Sequence, residues 1–357
     1  MSSAIFRKLT EFSKLQIYAE MEVAIRKTVE ILEQVHQSES TPRLKNEACR
    51  SKFFIHPHAT PKVCLFLHGF TAGPYQFEPL GKAFFNKGYN VLIPLQPGHG
   101  LSGDWNRQNP PPLPTDTQTY QQFVLKWLQI AKTLGQQVVV GGLSTGGTLA
   151  GWLALEHPQE IERALLFTPY LGSHYLFFDW LIEILPIYFE WFNKDAPGNF
   201  GYKGFRLQAL RIFLELAQKI LKQAQTRIAA PTLMVCSEGD RAVNLSKQQD
   251  FFTMVVKQQP KSWYYCFDDS LHIEHRMMTK LEDNDYEELV IILAKAFVDS
   301  DLSWAQFQQM AKRIAQGETY ENIKQQLNLD GQASQQLSAM MTQRFGCHHL
   351  ECINPCK

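Results

Sequence analysis

Residues Val138-Val139-Val140-Gly141-Gly142-Leu143-Ser144-Thr145-Gly146-Gly147-Thr148-Leu149 decide how the rest of the chain is read. A short β-branched run leads into Gly-x-Ser-x-Gly, and Ala and Leu then recur in a helical pattern. That order predicts a buried strand, a sharp turn and a helix, which together expose a serine hydroxyl. Gly142 and Gly146 leave no side chain where the turn is tightest, so Ser144 can take a strained backbone geometry. The first N–H groups of the helix point back toward the hydroxyl, where negative charge would develop. A Gly-rich turn around an ordinary serine looks the same over five residues, so the partners must come from elsewhere in the chain.

Outward from this turn, apolar runs alternate with helical patterns. Strands are expected at Val63 to Leu67, Val91 to Leu95, Gln137 to Gly141, Ile161 to Phe167, Thr232 to Cys236 and Trp263 to Phe267. Helices are expected at Tyr75 to Lys87, Thr119 to Leu134, Gly146 to Glu156, Leu245 to Val256 and Asp285 to Val298. Apolar strands alternating with helices predict an α/β architecture, a mostly parallel, doubly wound sheet covered on both faces. Right-handed crossovers bring the carboxyl ends of the strands to one edge, where sites collect. The alternation breaks from about 170 to 225, a stretch rich in aromatics and Leu/Ile and too long for a simple connection; it reads as a helical cap insertion. The division expected is an N-terminal helix and linker over 1–50, an α/β body over 51–299 that holds the cap insertion, and a C-terminal helical module over 300–357.

Composition sets limits on function. The 357 residues carry 35 basic and 35 acidic side chains, and 45% are hydrophobic. Neutral net charge gives no bulk attraction to nucleic acid. The third tail helix, Gln332 to Arg344, offers only Arg344 for phosphates, so the tail fits protein docking better than DNA reading. Seven cysteines are scattered, three of them (Cys64, Cys236 and Cys266) inside apolar strands, which suits a reducing, cytoplasmic compartment. No secretory leader pattern is visible, and the most apolar window, Tyr175 to Phe192, is interrupted by Asp179, Glu183, Pro186 and Glu190. No cofactor is called for. The terminal Cys347, His348, His349, Cys352 and Cys356 match no common zinc spacing, and no metal is assigned.

A serine needs a base, an acid to orient the base and donors for the oxyanion, each near a strand's carboxyl end. The strand ending at Cys236 runs into Ser237-Glu238-Gly239-Asp240, where Asp240 is the acid expected and Glu238 the alternative. The last strand runs into Asp268-Asp269-Ser270-Leu271-His272-Ile273-Glu274-His275, where His272 is the base expected and His275 the alternative. The order Ser, acid, His matches the strand–turn–helix serine motif. His68-Gly69-Phe70 follows the first apolar strand, so the Phe70 N–H can share a space with that of Thr145 as a pair of oxyanion donors.

These pieces, with Pro97-Gly98-His99-Gly100 and Ser270-Leu271-His272, make the chain from about Val63 to Val298 resemble the α/β-hydrolase superfamily of serine hydrolases, near the monoacylglycerol lipase and carboxylesterase branch. The resemblance implies Ser144 as nucleophile, Asp240 as acid, His272 as base, Phe70 and Thr145 as oxyanion donors, and a cap between the sixth and seventh strands. The cap aromatics are too many for one helix–sheet interface. Tyr175, Phe178, Trp180, Leu181 and Ile184 are therefore expected to line an apolar acyl pocket, with others facing lipid. The function expected is hydrolysis of a small hydrophobic acyl ester, with peripheral membrane contact open. A thioesterase and a hydrolase-fold scaffold with a protein partner at the C-terminal module stand as alternatives.

Overall fold

The computed structural model describes residues 23, 26–40, 43–192, 195–196 and 198–342. Most of the expected N-terminal helix, and the terminal Cys/His segment, lie outside the described residues. Helical backbone over 26–38 (α1) packs Leu32 into the core, and His36 stacks on Phe53 at 4.9 Å between ring centroids.

The sheet is built from β1 (Lys52–Phe54), β2 (Lys62–Leu67), β3 (Asn90–Ile93), β4 (Gln137–Leu143), β5 (Arg163–Phe167), β8 (Thr232–Ser237) and β9 (Trp263–Phe267), in the order β1-β3-β2-β4-β5-β8-β9. Every pairing is parallel except that of β1 with β3. The central strands are buried almost throughout, which is why they read as continuous apolar runs rather than as alternating ones.

Strand order dictates where the helices go. The step from β2 to β3 runs one way along the sheet, and the later steps, β3 to β4 to β5 to β8 to β9, run the other way. With right-handed crossovers, α2 (Glu78–Phe85) falls on one face, and α3 (Thr117–Leu134), α4 (Thr145–Glu156), α6 (Leu207–Ala224) and α7 (Leu245–Gln258) fall on the opposite face. The contacts agree: α3, α4 and α6 touch one another, α6 touches α7, and α8 (Glu287–Val298) joins α2. Sandwiched between sheet and helices, α4 is buried from Thr145 to Leu155. The direction reverses at β2 and β4, so their carboxyl ends flank a topological switch point, where α/β sheets place their sites.

The segment between β5 and α6 is not wholly helical. It contains α5 (Leu176–Ile184) and a short antiparallel pair, β6 (Tyr188–Glu190) with β7 (Gly204–Arg206). After α8, helices α9 (Trp304–Ala315), α10 (Tyr320–Gln326) and α11 (Gln335–Thr342) fold back on the body. Trp263 donates to the Leu302 carbonyl at 2.9 Å, Trp304 packs on Phe252, Phe307 packs on Trp263, and Arg163 bonds Asp301. Trp263 and Arg163 open β9 and β5, so this packing sits at the sheet edge opposite the carboxyl ends. Among the described residues, no helix is long and apolar enough to cross a membrane.

Candidate active site

Ser144 sits between β4 and α4 with φ 55° and ψ −119°, a conformation that L-residues avoid and that costs about 1–3 kcal/mol. The turn is pinned on both sides. The Ser144 N–H donates to Phe167 O at 3.0 Å, and the Tyr170 N–H donates to Ser144 O at 2.9 Å. The expected strand, turn and helix are therefore present, with Ser144 at the helix head and 8% exposed.

Asp240 lies beyond the end of β8 and is buried. Its Oδ1 accepts the Ala242 N–H at 2.8 Å, and its Oδ2 accepts from Thr168 Oγ1 and from His275 Nδ1, the latter at 2.7 Å. Burial works to raise the carboxyl's pKa, but the neighbouring His275 and these hydrogen bonds outweigh it and hold Asp240 below the ordinary carboxylate range. Glu238 is exposed.

The histidine that reaches Asp240 is not the one expected to do so. His272 closes the one-turn helix Asp269–Leu271 in left-handed conformation, φ 52°, and is exposed. The chain then turns inward. Ile273 is buried, with its carbonyl held by Ser237 Oγ, and the His275 ring reaches Asp240. The structure thus brings His275, not His272, to the acid. Burial pushes the imidazolium of His275 down, but the Asp240 carboxylate outweighs this and raises the ring above its ordinary value of 6.5.

Ser144 and His275 line one cavity of about 140 Å³, together with Phe70, Leu143, Tyr75, Gln76, Trp191 and Glu282 among others. The loop after β2 forms one wall and is held at several points. Gly69 N–H donates to Gln76 Oε1 at 2.8 Å, Tyr202 N–H to Thr71 O at 2.7 Å, and Trp191 Nε1 to Thr71 Oγ1 at 2.8 Å. Among the described residues, neither the Phe70 nor the Thr145 N–H has an acceptor. Both sit beside Ser144, one on the cavity wall and one next in the chain. His68 and His99 are buried and face the local backbone. The Gln96 N–H donates to His68 Nε2, which leaves His68 Nδ1 to donate to Gly69 O; His99 Nδ1 bonds Pro97 O.

The five cap residues expected in the pocket do not line this cavity. Helix α5 turns Phe178, Leu181 and Ile182 inward, where Phe178 meets Phe189 edge-on. The same geometry turns Tyr175, Trp180 and Ile184 outward, at 68%, 52% and 48% exposure. The cap reaches the cavity through Trp191 and Asn199 instead. Gln76 and Glu282, which also line it, carry no local sequence signal, since they meet across 206 positions.

The fold is the α/β-hydrolase fold. Residues 62–212 match the family model described as the α/β-hydrolase fold. Over 104 residues the chain is 34% identical to a thermostable monoacylglycerol lipase from Bacillus sp. (strain H-257); the match takes in 28% of this chain and spans only 37% of that relative's length. One of two metagenome-derived lipolytic enzymes shares the fold with a TM-score of 0.58 at 16% identity, over 71% of this chain and 98% of the other. The monoacylglycerol lipase of Paleococcus ferrophilus does so with a TM-score of 0.53 at 15% identity, over 69% and 98%.

Proposed function

We propose that the protein is a serine ester hydrolase that cleaves a hydrophobic acyl ester through an acyl-enzyme on Ser144. The observation that carries this reading is the His275–Asp240 hydrogen bond at the wall of the cavity that Ser144 shares. Ionised Asp240 fixes the proton on His275 Nδ1 and leaves Nε2 free as a base. Ser144 Oγ attacks the ester carbonyl while Nε2 takes its proton. The Phe70 and Thr145 N–H groups receive the oxyanion, and His275 passes the proton to the departing alkoxide. Water, activated by the same nitrogen, then releases the acid and restores Ser144. The relative whose name is monoacylglycerol lipase supports an acyl ester as the substrate class.

A fluorophosphonate probe tests the assignment. It is expected to label the folded protein at Ser144 and to abolish turnover of p-nitrophenyl esters. Ser144→Ala is expected to lose both labelling and about 10⁵–10⁶-fold in kcat. A folded protein that turns over esters with Ser144 unlabelled would overturn the reading.

The outward face of α5 supports a lipid surface as the source of substrate. Tyr175, Leu176, Phe177, Trp180 and Ile184 are exposed there, and Ile187 and Phe192 follow in the chain. Each large apolar side chain moved from water into lipid contributes about 1.5–3 kcal/mol. Phe177→Asp with Trp180→Asp is therefore expected to weaken binding to phosphatidylcholine vesicles about tenfold or more in a sedimentation assay. Unchanged vesicle binding would remove the surface from the proposal.

A further inference from the structure

Glu282 is a carboxyl that catalysis as described above does not use, yet it is buried at the wall of the same cavity. It ends the one-turn helix Lys280–Glu282, in a loop braced by Thr279 Oγ1 accepting from Leu281 N–H and by Asn284 Nδ2 donating to Met277 O. Both its oxygens accept from Gln76 Nε2 at 3.1 Å, and Tyr75 Oη donates to Oε1 at 3.0 Å. A buried carboxyl is costly, and an apolar side chain of similar size would be cheaper to bury. Burial pushes this one up to about 7, against the Gln76 and Tyr75 hydrogen bonds and the charges of Arg276 and His275. Protonated or not, it retains an acceptor for Gln76.

The Gln76 amide joins two places. Its Nε2 is fixed by Glu282, which forces Oε1 to face the Gly69 N–H, 2.8 Å away. A flipped amide would set oxygen against carboxylate and nitrogen against N–H. Gly69 immediately precedes Phe70, so the orientation of the Gly69 peptide helps to set where the Phe70 N–H points. We propose that Glu282 is a positioning residue for the oxyanion donor, acting through Gln76 on the loop that carries Phe70. The inference rests on the acyl-enzyme reading and adds a residue to it.

The effect should fall on the transition state, because an oxyanion donor is engaged only there. Losing such a donor outright costs about 10²–10³-fold in kcat. Misaiming it through Glu282→Leu is expected to lower kcat about 10–100-fold with KM within about twofold. Affinity for an alkyl boronate, which mimics the tetrahedral intermediate, should fall in parallel, while affinity for the product fatty acid holds. Glu282→Gln keeps an acceptor and is expected to recover kcat to within about threefold. Rates are taken per active site titrated with fluorophosphonate, so partial unfolding does not count as lost kcat. If Glu282→Leu does not fold, Gln76→Met cuts the same link from the other side and should give the same kcat loss. Where both fold, the double variant should be no worse than either single. Unchanged kcat in the folded single variants, or additive losses, would overturn the proposal while leaving Ser144 in place. Turnover that survives in Ser144→Ala would overturn both.

Discussion

Replacing His275 with alanine is expected to lower kcat about 10⁴–10⁶-fold, while His272→Ala stays within about twofold of the parent. The contrast follows from where the backbone sends two rings that lie three residues apart. His272 is exposed at a left-handed helix end, whereas His275 Nδ1 lies 2.7 Å from Asp240 Oδ2. The pH profile gives an independent reading. His275 must be neutral to accept the Ser144 proton, and its pKa is raised above 6.5 because the Asp240 carboxylate outweighs burial. In the parent, kcat/KM should therefore be full well above that pKa and should fall as pH drops through a value higher than 6.5. Residual activity in His275→Ala should lose this limb, and His272→Ala should retain it. The reverse pattern, with His272→Ala inactive and His275→Ala normal, would return the base to the residue first read from the sequence.

That choice of histidine marks where sequence reading gave out. The central strands were legible because they are buried on both faces and leave long apolar runs, and the turn around Ser144 was legible because its glycines sit at fixed offsets. Asp240 was legible as the acidic residue after a turn glycine at a strand end. Between His272 and His275, the decision depends on a positive φ at His272 and on Ile273 turning inward, and the loop's composition does not encode the first of these. The apolar Ile273 was the available hint that the chain dives after His272. In the cap, the number of aromatics was legible but their direction was not. The hairpin was hidden too, since Tyr188–Glu190 and Gly204–Arg206 are each three residues long, too short to show a period of two. Gln76 and Glu282 lie outside any pattern, because only the folded sheet brings them together.

Gly146→Ala is expected to destabilise the protein by more than about 4 kcal/mol or to prevent folding, whereas Gly151→Ala, five residues further along α4, should be neutral or stabilise by up to about 1 kcal/mol. A Cβ on Gly146 would lie 2.1 Å from the Leu67 carbonyl oxygen and 2.5 Å from that of His68. Both are backbone atoms at the end of β2, so no side-chain rotation relieves the overlap, and the loop carrying Phe70 would have to move. A Cβ on Gly151 would meet Ile220 and Leu166 methyls at 3.5 Å, an ordinary contact, in a helix where alanine is the better residue. Urea unfolding of the two variants checks the pair. A normal midpoint for Gly146→Ala would mean that α4 does not approach β2 this closely. The same close approach sets Ser144 beside the Phe70 loop, since Gly142 in turn leaves room for Gly146 O, 2.1 Å from where its Cβ would be. The two glycines thus act first on packing. They let strand and helix close on each other until Ser144 and the Phe70 loop share one cavity, and the strained Ser144 backbone persists because that packing leaves it no alternative.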